Sequence, residues 1–586
     1  MRGSERLPSW TGGWQGLAPG LLVVLAAASC TPAPEYDLLV RGGTVIDGSG
    51  QAGFTGDVAI AGERIAYVGP RAPGAARRVI DAQGRTVAPG FINMLSWSNE
   101  SLLIDGRGQG ELRQGVTLEV MGEGDSMGPL TPGMKDELTA QQGDLKYPVE
   151  WTTLGEYLET LERKGISLNV ASHIGAATAR MNLLGSEDLD PTPEQLAEMQ
   201  DVVRVAMEEG ALGVGSSLIY VPGTFAETDE LVALAATAGR CGGIHATHMR
   251  SEGARLLEAI DETIEIARRS GAPAEIYHLK AAGRSNWGKL EAAIARIDAA
   301  RKAGLRITTD MYAYPAASTG LDAAMPPWVQ EGGNAAWYAR LRDPAIRARV
   351  AADMRSDDAG WANTLREAGG AENVLISGLR KPALKPLIGK TLAEIARLRG
   401  TTPEEAAMDL VAEDESRVQS IYFLMSEDEV RRKVGLPFMS FGSDGSAVSA
   451  EGVFLKSNLH PRGYGNFARV LARYVRDEKL VTLEDAVHRM TAHPAAVLGL
   501  RERGRLEPGY YADVVVFDAA TIADHATYVE PHQYSTGVSH VIVNGIEALR
   551  DGEPTDARPG RVVRGRAWTG WPDGGCRASP RDWDWR

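Results

Sequence analysis

Cysteine is scarce in this chain: three stand in 586 residues, at Cys30, Cys241 and Cys576. Cys30 closes an N-terminal apolar segment and the other two are widely separated, so no disulfide framework is expected and the fold must rest on a hydrophobic core. Positive charge is also in deficit. With 62 Lys and Arg against 77 Asp and Glu, the net charge is −15 and the pI is near 5.3. No basic stripe offsets this, which excludes nucleic acid and anionic lipid headgroups as main partners, since both need a basic surface. Long apolar runs are limited to GLLVVLAAAS at 20–29, too short to span a bilayer. What remains is a globular composition, 44% hydrophobic, in a chain long enough for more than one folded unit.

Arg2 and Arg6 precede the apolar run, which ends in small residues directly before Cys30. This is the pattern of a signal peptide over 1–29, removed on export. LAAASC resembles the lipobox of bacterial lipoproteins, with Ala27 where Leu is usual. An exported protein, periplasmic or anchored through a lipid on Cys30, is therefore expected, with an ordinary secretory signal as the alternative. The mature chain is expected to be soluble apart from that lipid.

Residues 36–70 alternate β-branched side chains with Gly-rich turns, as hairpins do, and similar strands return in YYADVVVFD (510–518) and VSHVIVNG (538–545). One small composite β-sandwich built from both chain ends, 36–88 and 500–557, follows. Between these ends, strand-like runs alternate with helical segments: APGFINML, GVTLEVMGEG, SLNVASHIGA, ALGVGSSLIY, GGIHATHM, AEIYHLKA, RITTDMYAY and FMSFGSDG. Eight such runs match a (β/α)8 barrel over 89–499. The interval from Tyr312 to Phe441 is too long for one crossover, so 323–430 reads as an inserted subdomain near the barrel mouth. From 558 to 586 the chain is rich in Arg, Gly, Pro and Trp without periodicity and reads as a C-terminal tail of the poorly ordered kind.

His248 in IHATHMRSEG and His278 in EIYHLKAAG lie 30 positions apart, each at the end of a strand-like run. One strand-helix-strand unit brings two such strand ends side by side, close enough for both imidazoles to bind one metal, which points to a metallohydrolase. His245 lies three residues before His248 on the same strand, faces the other side and does not share the site. His173 is left unassigned.

The segments DLLVRGGTVIDGSG, VAPGFI, SSLIYVPGTFAETDELVALA, THMRSEG, GSDG, HPRGYGNFARVLARYVR and ADVVVFD together span 37–518. On these segments the chain resembles the D-aminoacylase, or N-acyl-D-amino-acid deacylase, branch of the amidohydrolase superfamily. The resemblance implies a metal-containing (β/α)8 barrel with a composite β-domain. It also implies one zinc per chain, held by two histidines that match His248 and His278. The family cysteine in VVGNCG has no counterpart in VMGEGD (120–125). Glu123 is the nearest donor, and a carboxylate oxygen binds zinc at about the distance of an imidazole nitrogen; Asp125 is the fallback. The superfamily's His-x-His after APGFID is replaced by Leu95 and Trp97, neither a ligand, so no binuclear centre is expected.

By the same resemblance Asp444 in FGSDGS is the general base that passes a proton to the leaving amine; read by itself, Asp-Gly is also a favoured turn pair. Tyr220, Lys280, Tyr312 and Arg462 are implied as substrate-binding residues for the free carboxylate of an N-acyl amino acid. Arg250 is a further candidate, with a structural salt bridge in the neighbourhood of Glu252 as its alternative. The expected reaction is hydrolysis of an N-acyl-D-amino acid, the stereochemistry being implied by the resemblance alone. Another C–N hydrolase, a cyclic amidase or dipeptidase, is the alternative within enzymes. A barrel that lost its first-strand histidines and only binds ligands is the alternative outside them.

Overall fold

The computed structural model describes residues 9, 11, 12, 35–356 and 360–583. Of the expected signal peptide at 1–29 only residues 9, 11 and 12 are described, and Cys30 lies outside the described residues. Among the described residues no helix is long and apolar enough to cross a membrane.

Eight parallel strands form the central barrel: Phe91–Asn93, Val116–Met121, Asn169–Ser172 continuing into Ile174–Gly175, Gly213–Ser217, Ile244–His248, Ala274–Ile276, Ile307–Met311 and Met439–Phe441. The ring closes between the eighth and first strands, where Met94 N donates to Phe441 O at 3.3 Å and Asp444 N to Leu95 O at 2.9 Å. Side chains reinforce the closure, because Asn93 Nδ2 donates to Glu119 Oε2 at 2.9 Å and to Ser443 Oγ at 2.8 Å inside the barrel. The strands are buried on both faces, as parallel strands covered by helices must be, and every residue of Val116–Met121 and Ile244–His248 is buried. The helix Leu256–Ser270 shows how the outer layer forms. It turns Leu256, Ala259, Ile260, Ile264 and Ala267 inward and ends at Gly271, whose φ of 73° closes the last turn without a Cβ penalty.

Both chain ends build one hydrogen-bonded sheet of nine strands. They join where Thr86–Pro89 pairs antiparallel with Val514–Phe517, Val87 opposite Val516, over a core containing Val40, Val58, Ile60, Val514 and Ile542. The insertion is a unit with its own three-stranded antiparallel sheet, Ala317–Gly320, Gln419–Tyr422 and Val374–Gly378, and its own core around Trp337, Leu341, Val350, Ile395 and Val411. It begins at Ala317, six residues before the expected boundary, because its first strand is a short run of small residues without apolar alternation.

Two expectations need correction. Residues 558–583 are not a loose tail. They run as a strap across the starts of the barrel strands: Val563 N donates to Val170 O at 2.8 Å, Gly565 N to Gly210 O at 2.9 Å, and Trp583 Nε1 to Arg240 O at 2.8 Å. The strap has little regular structure, so periodicity could not show it; its anchors are backbone carbonyls far away in the chain. Cys241 and Cys576 are joined by a disulfide across 335 residues of sequence. Cys241 follows the helix Thr228–Arg240 at the barrel end away from the site, where the strap passes, so sequence distance says nothing about their separation.

Candidate active site

The functional side chains stand at the carboxyl ends of the strands, where barrels of this kind keep their chemistry. His248 ends the fifth strand and His278 lies two residues beyond the sixth. The strands pair in parallel with Thr247 opposite Ile276, and the two imidazoles meet edge to face with centroids 4.6 Å apart. His278 adopts a left-handed φ of 35°, a strained conformation held in place by its own N–H donating to Asp310 Oδ1 at 2.7 Å. Glu123 reaches the same point from the second strand. It sits between Gly122 and Gly124, both at positive φ, and a side chain at Gly124 would run into Ser217.

His248 Nδ1 and His278 Nε2 lie 2.9 and 3.2 Å from one oxygen, Glu123 Oε1. These three buried donors, all within 4.8 Å of one another, are the one such group among the described residues. Burial alone would push the Glu123 carboxyl up, yet the two imidazoles hold it well below its ordinary value, so it is an anion poised toward positive charge. Two imidazole nitrogens and one carboxylate oxygen brought this close together are a donor set that suits zinc. Asp125, the fallback ligand, is outside the group and exposed.

Glu252 is a member of the site that sequence reasoning missed. Its Oε1 lies 2.9 Å from His278 Nδ1 and its Oε2 lies 3.5 Å from His248 Nε2. It therefore backs the His278 ring closely on the side away from the donor cluster, the arrangement that orients metal-binding imidazoles, and places its negative charge beside His248, whose Nε2 has no hydrogen-bond partner among the described residues. Lys280 Nζ donates to the same carboxylate. Burial pushes Glu252 up, but the Lys280 ammonium and the imidazoles outweigh it and hold the carboxyl far below its ordinary value. The available signal was its position four residues after His248 in THMRSEG.

Asp444 lies beyond the eighth strand at a left-handed φ of 49°. Its Oδ1 accepts from Trp97 Nε1 at 3.0 Å, and its Oδ2 lies 2.7 Å from Arg462 Nη1. Burial pushes its carboxyl above the ordinary value, with Arg462 opposing. Trp97 Nε1 lies 3.1 Å from Glu123 Oε2 as well, so one indole N–H serves both carboxylates.

The other candidates surround this centre. Tyr220 packs edge to face on His248 at 5.4 Å and bonds Thr319 Oγ1 at 2.8 Å. Tyr312 packs on His278 at 6.3 Å, and its buried hydroxyl has no hydrogen-bond partner among the described residues. The Arg462 guanidinium lies 4.6 Å above the Tyr312 ring and donates to Ser318 O in the insertion's first strand at 3.2 Å. Lys280 is buried beneath them. Arg250 is elsewhere: it pairs with Glu262 at 2.9 Å and donates to Thr224 O and Ala226 O, so its partner is Glu262 on the following helix and not a group beside Glu252. His245 Nε2 bonds Ser216 Oγ at 2.9 Å, away from the cluster. Burial pushes His173 down to about 3, a neutral ring packed at 6.4 Å from Tyr277.

The model of the Amidohydrolase family matches residues 78–547, which holds the whole of this site. The chain belongs to that family. It is 36% identical to the N-acyl-D-glutamate deacylase of Alcaligenes xylosoxydans xylosoxydans over 90% of this chain and 97% of that one. Among solved structures it is similar to the N-acyl-D-glutamate deacylase of Bordetella bronchiseptica, complexed with zinc and a phosphonate mimic of the tetrahedral intermediate: TM-score 0.73, 33% identity, 90% of this chain and 99% of that one. A D-aminoacylase with a binuclear metal centre, described by one-metal activation and second-metal attenuation, superposes with TM-score 0.74 at 32% identity, covering 90% of this chain and all of that one. This amidohydrolase is therefore a metal-dependent hydrolase of C–N bonds on a barrel with an added β-domain.

Proposed function

We propose that this amidohydrolase cleaves the amide of N-acyl-D-amino acids to a carboxylate and a free D-amino acid, with one zinc per chain. The observation that carries the reading is the convergence of Glu123, His248 and His278 beside a separately held carboxyl, Asp444. Relatives that share the fold over nine-tenths of this chain bear deacylase names for this substrate class. Glu123, His248 and His278 would hold the zinc, which would supply hydroxide at neutral pH by lowering the pKa of bound water to about 7.

The chain's own residues supply the rest. Asp444 takes the proton of the attacking water on its carboxylate and gives it to the leaving amine nitrogen. Glu252 and Lys280 keep the His278 imidazole oriented. The Tyr312 hydroxyl, without a hydrogen-bond partner among the described residues, and the Arg462 guanidinium over its ring offer a donor and a charge to the substrate's carboxylate, with Tyr220 beside His248. Lys280 adds positive potential from below.

The test is release of free amine from a panel of N-acyl-D- and N-acyl-L-amino acids, alongside metal content. Turnover of the D series by protein holding one zinc, both lost in His248→Ala, supports the reading. A folded protein that binds no metal, or one that cleaves only cyclic amides or dipeptides, overturns it.

We also propose that the protein is exported and carries a lipid on Cys30. The Cys241–Cys576 disulfide supports the export, since such bonds persist in oxidising compartments; the lipid rests on the LAAASC segment alone. Membrane fractionation of wild type against Cys30→Ser tests it: equal release of both into the soluble fraction sinks the lipid.

A further inference from the structure

Glu123 and Asp444 each present one carboxylate oxygen to a common point, and Trp97 Nε1 occupies it, 3.1 and 3.0 Å from the two oxygens. Two anions facing one point make a site that a second cation would be expected to fill. An indole nitrogen is a donor only and cannot ligate a metal. Leu95, two residues earlier on the same strand end, is fully buried among apolar side chains inside the barrel and offers no ligand either. The Trp97 backbone is pinned as well: its N donates to Gly445 O at 2.8 Å, and its carbonyl accepts from Ser446 Oγ at 2.8 Å. The Trp97 backbone is thereby fixed at the junction between the first and eighth strands, with the indole N–H held by the two carboxylates.

We propose that Trp97 stands in for a second cation, so that this amidohydrolase binds one metal only, escapes attenuation by a second, and uses the indole N–H to position Asp444. The proposal rests on the zinc reading above. The N–H brings partial positive charge to both carboxylates without the charge or exchange of an ion. With Trp97 on Oδ1 and Arg462 on Oδ2, Asp444 is fixed at both oxygens. Trp97 acts through Asp444 and Glu123 and is a positioning residue.

The experiment equilibrates the zinc holoenzyme, and separately the cobalt-loaded protein, with rising excess of the same metal. It reads bound metal by elemental analysis, cobalt absorbance in the visible, and turnover. Wild type is expected to plateau at one metal per chain with no slowing in excess zinc, whereas Leu95→His combined with Trp97→His plateaus at two and slows. A second equivalent bound by wild type overturns the proposal and leaves the zinc reading intact; no metal at all overturns that reading itself. Trp97→Phe keeps a ring but removes the donor. It should retain one zinc and a KM within about twofold while kcat falls about tenfold to a hundredfold, the loss of a hydrogen bond to a charged group. An unchanged kcat in that variant overturns the positioning role, and the wild-type plateau decides the stoichiometry without any variant.

Discussion

Replacing Glu252 by Gln keeps the shape of the side chain but removes the charge that stands beside both imidazoles. In wild type its carboxylate lies 2.9 Å from His278 Nδ1, 3.5 Å from His248 Nε2, and accepts from Lys280. Losing an outer partner of a metal-binding histidine typically costs tenfold to a hundredfold in metal affinity, about 1.4–2.7 kcal/mol. A second cost is separate: Lys280, only 2% exposed, is left as a buried cation without its anion, and breaking such a pair costs about 3–5 kcal/mol of stability. The two costs are separable with Glu252→Gln/Lys280→Met, which removes both charges. Competition with a chromophoric chelator gives zinc affinity, and thermal melting of the zinc-free protein gives stability. The expected pattern is weak zinc binding in both variants, with lost stability largely recovered in the double one. Zinc affinity within twofold of wild type in Glu252→Gln would refute the assignment of Glu252 as the residue that orients the His278 ring.

Three shorter predictions follow from other parts of the molecule. Asp444→Asn removes the proton carrier but no zinc donor, so zinc content should stay at the wild-type value while kcat falls at least about a hundredfold; retained turnover rules out the proton transfer assigned to it. Cys241→Ser frees the strap: closing a loop of 335 residues caps the chain-entropy gain at roughly 6 kcal/mol, and native disulfides usually contribute about 2–5 kcal/mol. Denaturant unfolding should show a loss in that range, with kcat of the folded fraction unchanged because the strap lies at the other end of the barrel. Burial pushes the Glu119 carboxyl from 4.5 up to about 7. A folded-state value above the unfolded one means full stability below about 4.5, lost as pH rises through 7. Glu119→Gln, which can still accept from Asn93, should shrink the fall in melting temperature between pH 5 and pH 8. An unchanged fall would show that Glu119 is ionised at little cost.

Much of the scaffold was legible because its signals are local and repeated. Eight apolar runs separated by helical spacing are enough to imply eight strands, and parallel strands need crossovers of that length. The thirty-residue interval from His248 to His278 reports one such crossover, so it carried spatial information in one dimension. Glu123 was legible only through alignment of VMGEGD with a family segment. Glu252 had only its place four residues after His248 to mark it, since a glutamate in a loop between a strand and the next helix looks like any surface acid until the fold turns it back beside the imidazoles. Asn93 and Glu119 are likewise ordinary polar residues in sequence, and only ring closure makes them partners.

The alternation of strand and helix, the β-hairpins at both ends and the residue types at the strand ends were readable along the chain, because they depend on side-chain patterns within about twenty residues. Tertiary structure alone decided that Cys241 meets Cys576, that an aperiodic C-terminus straps the barrel, that Arg250 serves Glu262, and that Trp97 links Glu123 to Asp444. Each of those is a contact made by single side chains or backbone groups with no repeating pattern, and all but the Arg250–Glu262 pair join segments well separated in the chain. Their energy depends on distance and angle in space, and neither quantity is written along a strand.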